Sequence, residues 1–285
     1  MVRRSPPDFA HYLAKKYMRT EMLPTAFCPG CGLGIIERAI MMAIDELGDD
    51  LWEKTVFVSG IGCSGWIPVY FKCDVLHTLH GRALPIATAI KVCRPELNVV
   101  VTMGDGDSMA IGGNHLIHAA RRNIDLTVIV ANNMLYSLTG GQVAPTTPQN
   151  AYTNTTPYGN FEPNFNLMEL VKAAGATYFA RWTTWHFVQL KNSIKKAMKH
   201  KGFAVVEVVS QCPTYAGRYI LGRPDPRDFM EWLKENSIPV EKAEKMSEEE
   251  LRGKIVVGEF FERTDREEFS ERVHALIEAA RGESR

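Results

Sequence analysis

The stretch that decides the fold is NVVVTMGDGDSMAIGGNHLIHAARRNIDLTVIVANN, which covers residues 98–133. It begins with a β-branched run at 98–103 and continues through a glycine-rich turn into a helical segment at 112–122. A second apolar run at 125–131 ends in two asparagines. Neither run alternates between apolar and polar residues, which is typical of parallel strands that are covered on both faces. The stretch therefore predicts a strand-helix-strand unit of a parallel sheet.

The same alternation extends on both sides of this unit. The remaining predicted strands are residues 55–59, 176–180 and 203–209, and the remaining predicted helices are residues 33–47, 81–92, 167–174 and 184–200. Alternating strands and helices indicate an α/β protein with a doubly wound, mostly parallel sheet. Ligands of such sheets bind beyond the carboxyl ends of the strands, so we expect the functional residues in the loops at that edge.

Less regular regions complete the chain. Residues 140–166 are rich in proline and asparagine and have little periodicity, which predicts a long functional loop. After residue 241, charged residues surround one apolar run at 255–257, which predicts an added strand and a final amphipathic helix. We therefore predict a main domain over residues 1–235, with an irregular cysteine-bearing loop near its N-terminus, and a C-terminal arm over residues 236–285.

Composition and charge exclude several classes of protein. The 285 residues are 45% hydrophobic and 23% charged, as in ordinary globular proteins. Lys plus Arg and Asp plus Glu both number 33, which argues against nucleic-acid binding through bulk positive charge. The N-terminal residues 1–16 lack the apolar run of a secretory signal, and no stretch approaches the roughly 18 to 20 apolar residues that span a bilayer. We predict a cytoplasmic protein that binds neither nucleic acid nor membrane.

The glycine-rich turn predicts a site for a diphosphate and a divalent cation. Gly104 and Gly106 allow close approach of the backbone, and the helix beyond them offers free N–H groups. Asp105 and Asn133 end consecutive strands, and Mg²⁺ prefers such oxygen ligands. Alternatively, Gly-Asp-Gly is a tight turn whose aspartate caps a helix, and Asn-Asn is a second turn. The occurrence of both motifs at consecutive strand ends favours the metal site.

Four of the six cysteines stand beside glycine or proline at predicted turns. They are Cys28, Cys31, Cys63 and Cys212. The first two form a Cys-x-x-Cys pair and the others each follow a predicted strand, so the four thiolates are able to converge at the edge that holds the Gly-Asp-Gly turn. Four thiolates suit a 4Fe-4S cluster or a structural zinc ion, and the spacing alone also allows no metal. Cys73 and Cys93 are interpreted as buried free thiols.

With these motifs in place, the sequence resembles a known family, the β subunits of 2-oxoacid:ferredoxin oxidoreductases. The matching strings are CPGCG (28–32), SGIGCSG (59–65), HTLHGRA (77–83), GDGDSMAIGGNHLIHAARRNIDLTVIVANN (104–133) and LTGGQVAPTTP (138–148). The resemblance runs from about residue 17 to about residue 257. It implies that the sheet is of the thiamine diphosphate-binding type.

The resemblance also implies cofactors and their ligands. Thiamine diphosphate would be held through Mg²⁺, which would be bound by Asp105, Asn133 and the backbone carbonyl of Leu135. The diphosphate would be lined by Gly106, Asp107, Ser137 and Leu138, and the cofactor would further contact Ile61, Gly62, Cys63, Ser64 and His80. A 4Fe-4S cluster would be bound by Cys28, Cys31, Cys63 and Cys212. Without the resemblance, His80 would be interpreted as a structural histidine.

The loop after Cys63 carries the clue to the substrate. It reads Ser-Gly-Trp-Ile-Pro over residues 64–68, which resembles the 2-oxoglutarate branch of the family more than the pyruvate or broad-specificity members. Trp66 is therefore placed on the substrate side, and His80 and Trp66 are the candidate catalytic residues. The second carboxylate of 2-oxoglutarate needs a positive partner, which is Arg82 or a residue of another subunit.

By the same resemblance, the reaction is the oxidative decarboxylation of a 2-oxoacid. Coenzyme A takes the acyl group, and electrons leave singly through the cluster to ferredoxin. A separate α subunit would supply the glutamate that activates the cofactor, so we expect the chain to be active only in αβ pairs, which would dimerise.

Two other classes and one surface are also considered. A non-redox thiamine diphosphate decarboxylase or synthase subunit would share the metal motif but need no cysteine quartet. A zinc-stabilised regulatory subunit would need the quartet but neither Asp105 nor Asn133.

Residues 186–201 carry five lysines and no acid, so this segment is either a docking surface for an acidic ferredoxin or an ordinary solvated helix face.

Overall fold

The structure is a computed structural model that describes residues 11–282. The prediction that the N-terminus is no secretory signal falls mostly on residues 1–10, outside the described residues. The strands of the described part are β1 (Thr55–Ser59), β2 (Asp74–His77), β3 (Asn98–Gly104), β4 (Leu126–Asn132), β5 (Leu135–Tyr136), β6 (Gln142–Val143), β7 (Tyr178–Thr183), β8 (Phe203–Val209), β9 (Ser237–Pro239) and β10 (Ile255–Glu262).

Eight of these strands form one sheet in the order β2-β1-β3-β4-β8-β7-β10-β9. The first six in this order are parallel, β10 is antiparallel to β7, and β9 is parallel to β10. Every residue of β1, β4 and β8 is buried, which explains why these strands are apolar on both faces. The predicted mostly parallel, doubly wound sheet is confirmed.

Helices cover both faces of the sheet. They are α1 (Tyr12–Tyr17), α2 (Leu33–Leu47), α3 (Asp49–Glu53), α4 (Ala83–Cys93), α5 (Asp105–Met109), α6 (Gly113–Arg122), α7 (Leu167–Ala174), α8 (Phe187–Lys199), α9 (Pro226–Glu235), α10 (Val240–Ala243), α11 (Glu248–Leu251) and α12 (Phe269–Ala280). A π-helical turn spans Pro213–Ile220. In the part of the chain from residue 11 to residue 282, no helix combines the length and apolar character needed to cross a membrane.

Two large apolar cores lie on opposite faces of the sheet. One joins the sheet to α1, α2 and α8, and the other joins it to α4, α6 and α7. A third, smaller core lies where the turn after β4 meets the π-helical turn and α9. Helix α2 ends at Gly48, whose φ of 99° is a conformation that glycine adopts without a steric penalty. The two-sided burial fixes the strand ends, and therefore the loops that hold the candidate ligands.

The strand predictions fail mainly at the edge of the sheet and at strand ends. Strand β2 was not predicted, because three of its four residues are exposed and form no apolar run. Strand β7 begins at Tyr178 and reaches Thr183, beyond the predicted end at residue 180. Its last residues, including Arg181, pair with β8, so a tertiary contact extends a strand that sequence pattern ends early.

The C-terminal part adds to the same sheet. The predicted extra strand and final helix are present as β10 and α12, and β9 is a further short strand. The division into residues 1–235 and 236–285 stays a prediction, and the sheet continues across that boundary.

Two surface predictions meet different outcomes. Cys93 is exposed, so its interpretation as a buried thiol was wrong: α4 is apolar almost all round, and pattern alone does not identify its buried face. Cys73 is partly buried and contacts the core on the α2 side.

The lysines of segment 186–201 are largely paired with carboxylates, in the pairs Lys191–Glu46, Lys195–Glu46, Lys196–Glu259, Lys196–Glu262, Lys201–Asp125 and Lys201–Glu271. That segment carries less unpaired positive charge than its sequence suggests, and ferredoxin docking there stays a prediction.

Candidate functional site

The carboxyl ends of β3 and β4 bring the two predicted metal ligands to one edge of the sheet. Gly104 pairs with Ala131 across these strands, so Asp105 and Asn133 follow at neighbouring positions. They border a cleft at this edge. Its lining includes every residue predicted to contact the cofactor or Mg²⁺, namely Ile61, Gly62, Cys63, Ser64, His80, Gly104, Asp105, Gly106, Asp107, Asn133, Leu135, Ser137 and Leu138. Trp66 is exposed and is not among the lining residues.

Asp105 is a buried carboxyl that is suited to a cation. Its side chain is 2% exposed and accepts a hydrogen bond from the Thr146 hydroxyl. Burial raises the pKa of Asp105 to about 7, although the bond from Thr146 favours the charged form. A divalent cation would supply the positive charge that stabilises the ionised form of this desolvated carboxyl. The residue therefore fits the predicted magnesium site.

The turn after β4 has an unusual backbone that presents Asn133 and Leu135 to the cleft. Met134 has a φ of 67°, which is uncommon for a residue other than glycine. The Asn133 side chain accepts a hydrogen bond of 3.3 Å from the Leu135 N–H. The Met134 carbonyl accepts a bond of 2.5 Å from the Thr147 hydroxyl. Side chains on both sides of the turn therefore hold its left-handed residue in place.

A buried network stands behind this turn. The Asn132 amide accepts a bond of 3.1 Å from the Met134 N–H and donates one of 2.8 Å to Glu207. Glu207 lies on β8 and also accepts a bond of 2.6 Å from Arg181 on β7. Glu207 is 2% exposed, so its charge is balanced chiefly by Arg181. The network was not predicted, although a glutamate inside the apolar run FAVVEVV is the signal that marks it.

We expect Glu207→Gln to weaken Mg²⁺-dependent cofactor binding by about 10- to 100-fold, the usual cost of losing a partner behind a metal ligand. The substitution removes the negative charge that pairs with Arg181. It also removes one acceptor from the series of hydrogen bonds that leads through Asn132 to Met134. Titration of thiamine diphosphate binding with Mg²⁺ would measure the effect. The control is Glu262→Gln, which removes an exposed carboxylate in an ion pair with Lys196. Equal Mg²⁺ affinity in the two variants would show that the network does not position the turn.

A close contact at the glycine-rich turn explains its second glycine. A Cβ atom on Gly106 would lie 2.3 Å from the Tyr136 ring, which leaves no room for a larger residue. The Tyr136 hydroxyl donates a bond of 3.1 Å to the Gly106 carbonyl, and its ring meets His80 edge-on at 5.8 Å. Tyr136 also lines the cleft and was missed by motif reasoning.

Asp107 joins three loops around the cleft. One of its carboxylate oxygens accepts hydrogen bonds from the His80 ring, from the Gly81 N–H at 2.7 Å and from the Ile61 N–H at 3.3 Å. Burial raises the pKa of Asp107 and these bonds oppose the rise. Because its Nδ1 is engaged by the carboxylate, His80 keeps Nε2 available for a proton transfer or a hydrogen bond. Asp107 thus orients the histidine that we predicted to contact the cofactor.

The four predicted cluster cysteines lie in one neighbourhood. Burial is the main cause that raises the pKa of both Cys31 and Cys63 to about 12. Cys28 and Cys212 add to both rises, and Cys31 adds to that of Cys63. Cys212 is buried and its Sγ lies 3.5 Å from the Ser137 hydroxyl, while Cys63 lines the cleft itself. Two of the four cysteines, Cys63 and Cys212, therefore border the wall of the cleft.

Local packing brings the N-terminal pair to the others. The Gly32 N–H donates a bond of 3.0 Å to the Gln211 carbonyl, which places the Cys-x-x-Cys loop beside Cys212. Among residues 11–282, no group of three or more His, Cys, Asp or Glu side chains is arranged with ligand geometry for a metal. The donor set suits an iron-sulfur cluster in number and kind, and binding would require the thiols to lose their protons and draw together.

Comparisons with known proteins show the family of this chain. Residues 60–208, which include all of the cleft except Leu33, match the family described as thiamine pyrophosphate enzyme, C-terminal TPP binding domain. The chain is 56% identical over 270 residues to 2-oxoglutarate synthase subunit KorB of Methanocaldococcus jannaschii, which covers 95% of this chain and 99% of the relative. The chain belongs to the β-subunit family of the 2-oxoacid:ferredoxin oxidoreductases. The prediction that the chain is an oxidoreductase subunit of this family is confirmed.

Two further known proteins are similar to this β subunit. A solved structure of 2-oxoglutarate:ferredoxin oxidoreductase from Magnetococcus marinus, with 2-oxoglutarate, coenzyme A and succinyl-CoA bound, is 35% identical with a TM-score of 0.82. The match covers 95% of this chain and 91% of that one. The β subunit of 2-oxoacid:ferredoxin oxidoreductase 2 from Aeropyrum pernix is 46% identical over 189 residues, covering 66% of this chain and 61% of the relative. The resemblance therefore extends over both sequence and fold.

Proposed function

We propose that this β subunit, paired with an α subunit, converts 2-oxoglutarate, coenzyme A and oxidised ferredoxin into succinyl-CoA, carbon dioxide and reduced ferredoxin. The observation that carries the proposal is the shared wall of the cleft. The glycine-rich turn and the turn after β4 form one side of it, and two of the four cysteines border it through Cys63 and the contact of Cys212 with Ser137. A cofactor that produces electrons and a group that takes them would then be neighbours.

Asp105, Asn133 and the Leu135 carbonyl are assigned to Mg²⁺, and the glycine-rich turn to the diphosphate. The four cysteines are assigned to a 4Fe-4S cluster. Thiamine diphosphate would supply a nucleophilic carbon and an electron sink for decarboxylation of the ketoacid, and the cluster would supply one-electron transfer. The β subunit holds the cofactor, orients His80 through Asp107 and carries electrons from the cleft.

Substrate choice is assigned to 2-oxoglutarate because the two proteins named above that match 95% of this chain, at 56% and 35% identity, are 2-oxoglutarate enzymes. Trp66 is the exposed last residue of the turn that begins at Cys63, so a substrate or another subunit is able to reach it. Arg82 is exposed beside His80 and donates a bond of 3.2 Å to the Ile111 carbonyl. Arg82 is the candidate of this chain for the second carboxylate of the substrate.

The test is anaerobic purification of the αβ enzyme, followed by iron analysis, an absorption spectrum and ferredoxin-reduction rates with three substrates. We expect a coloured, iron-containing enzyme whose kcat/KM for 2-oxoglutarate exceeds that for pyruvate and for a branched 2-oxoacid. A colourless, iron-free enzyme that still decarboxylates would favour the non-redox class. An iron-containing enzyme that prefers pyruvate would keep the family and overturn the substrate.

A further inference from the structure

The long loop over residues 140–166 carries two adjacent threonines that reach the ends of different strands. The Thr146 hydroxyl donates a hydrogen bond to Oδ2 of Asp105, the residue that directly follows β3. The Thr147 hydroxyl donates one of 2.5 Å to the carbonyl of Met134, in the turn after β4. Both threonines are buried. One segment of the loop therefore contacts both of the turns that carry the candidate Mg²⁺ ligands.

A tight turn over residues 144–147 fixes the two threonines relative to each other. Pro145 stands at its second position, where proline supplies the φ value that such turns require. The Thr147 N–H donates a bond of 2.9 Å to the Ala144 carbonyl, and the Ala144 N–H donates one of 2.8 Å to the Thr147 hydroxyl oxygen. Because that oxygen accepts a bond from Ala144, the single hydrogen of the hydroxyl is directed to Met134.

The far end of the same loop holds this turn in place. The side-chain amides of Asn164 and Asn160 donate bonds of 2.8 Å and 2.9 Å to the carbonyls of the first and the second threonine. The Phe165 N–H donates a bond of 2.9 Å to the Pro145 carbonyl. Three successive carbonyls of the turn are thus bound from residues 160–165. These bonds restrict the motion of the turn, although it belongs to a long irregular loop.

The bond from Thr146 acts on the orientation of the Asp105 carboxylate. The terminal torsion of an aspartate side chain is broad, so the backbone alone does not fix it. The backbone N–H groups of Asp105 and Gly106 also bond to the carboxylate, and Thr146 adds a bond from outside the glycine-rich turn. Because Asp105 lines the cleft, a bond that holds Oδ2 also sets the direction of Oδ1.

The bond from Thr147 acts on the peptide group between Met134 and Leu135. The carbonyl of this group accepts the Thr147 hydrogen, and its N–H donates a bond of 3.3 Å to the Asn133 side chain. Both edges of the peptide plane are therefore held, directly after the left-handed φ of Met134. A conformation of this kind persists where its surroundings determine it. The next carbonyl along the chain is that of Leu135, a candidate Mg²⁺ ligand.

We propose that Thr146 and Thr147 are a pair of positioning residues for the Mg²⁺ of the cofactor site. Thr146 orients Asp105 at the end of β3, and Thr147 holds the turn that carries Leu135 at the end of β4. The pair has this role only if the cleft binds Mg²⁺ with thiamine diphosphate, so the inference rests on the proposed function. The loop then sets the two groups of ligands relative to each other from outside the sheet.

The test is the Mg²⁺ dependence of thiamine diphosphate binding to the cofactor-depleted αβ enzyme, for the wild type, Thr146→Val, Thr147→Val and Thr156→Val. Valine keeps the shape of threonine and removes the hydroxyl. The first two variants should weaken Mg²⁺-dependent binding by about 10- to 100-fold, the usual cost of losing a partner behind a metal ligand. The control, Thr156, is a half-buried threonine of the same loop whose hydroxyl contacts Ala151 and Thr153, and its variant should bind as the wild type does.

Two further measurements separate positioning from a merely structural role. Thr146→Ser and Thr147→Ser keep the hydroxyl and should recover most of the lost affinity. Mn²⁺ accepts the same oxygen ligands as Mg²⁺, and its EPR spectrum reports their geometry. The spectrum of bound Mn²⁺ should change in both valine variants and stay unchanged in the control. If one valine variant does not fold, the other gives the same comparison against the same control.

Each contrary outcome has a separate meaning. Valine variants that unfold at a lower temperature, but bind Mg²⁺ and the cofactor normally with an unchanged Mn²⁺ spectrum, would overturn the positioning role and leave the proposed function intact. Serine variants as weak as the valine variants would also overturn the role, because the hydroxyl would then not be the cause. A wild-type enzyme that binds thiamine diphosphate without any dependence on Mg²⁺ would overturn the proposed metal site and this role together.

Discussion

Asp105→Asn should lower Mg²⁺-dependent thiamine diphosphate affinity by about a hundredfold or more, because loss of a metal ligand should exceed the 10- to 100-fold cost of losing an outer partner. The amide keeps the size of the side chain and an acceptor for Thr146, but it removes the negative charge. Cofactor binding titrated with Mg²⁺ measures this loss. Asp228→Asn makes the same change on the exposed surface of α9 and should leave the affinity unchanged.

Asp105→Asn should stabilise the metal-free protein, although it weakens cofactor binding. The pKa of Asp105 is raised in the folded state from 3.8 to about 7, so its stabilising contribution is complete below pH 3.8 and is lost as pH rises through 7. The loss amounts to roughly 1.4 kcal/mol per pH unit across that window. Metal-free Asp105→Asn should therefore unfold at a higher temperature than the wild type at pH 8. A variant that binds Mg²⁺ normally would contradict the assignment.

Cys212→Ser should remove the proposed 4Fe-4S cluster and with it essentially all of the proposed ferredoxin reduction. Such clusters are held by four cysteine thiolates, and the substitution removes the one that is buried and in contact with Ser137 beside the cleft. Iron content and the absorption spectrum after anaerobic purification measure the effect.

Cys93→Ser and Cys73→Ser are the matched controls for the quartet. Cys93 is exposed at the end of α4, and burial raises the pKa of the partly buried Cys73 to about 12 without a contribution from the quartet. Both variants should keep normal iron content and normal rates. Loss of iron in a control, or its retention in Cys212→Ser, would reject the assignment of the four ligands.

Much of the candidate site is predictable from the sequence, because its key residues directly follow strands. Asp105 and Asn133 are placed by the ends of β3 and β4, and strand ends follow from two-sided apolar runs. The positions of Cys63 and Cys212 after β1 and β8 follow in the same way. Motif spacing therefore predicts which residues meet at the cleft.

The supporting contacts are harder to obtain from sequence. Thr146 reaches Asp105 from a long irregular loop whose course depends on tertiary packing. Arg181 and Glu207 lie on neighbouring strands, and their pairing depends on the order of the sheet. The exposed edge strand β2 lacks an apolar run, and Cys93 lies on a helix with apolar residues on most sides. Residue pattern alone contains too little information about these neighbours.

The contact between Cys212 and Ser137 has a consequence for how the enzyme is assembled in the cell. Cys212 belongs to the proposed cluster site and Ser137 to the proposed diphosphate site. The structure of each site therefore depends on the state of the other. We expect iron loading to precede cofactor loading, since a deprotonated Cys212 sulfur bound to the proposed cluster would give the wall its final shape and charge. Damage by oxygen would then release the vitamin-derived cofactor as well as the iron, and repair would have to restart from the cluster.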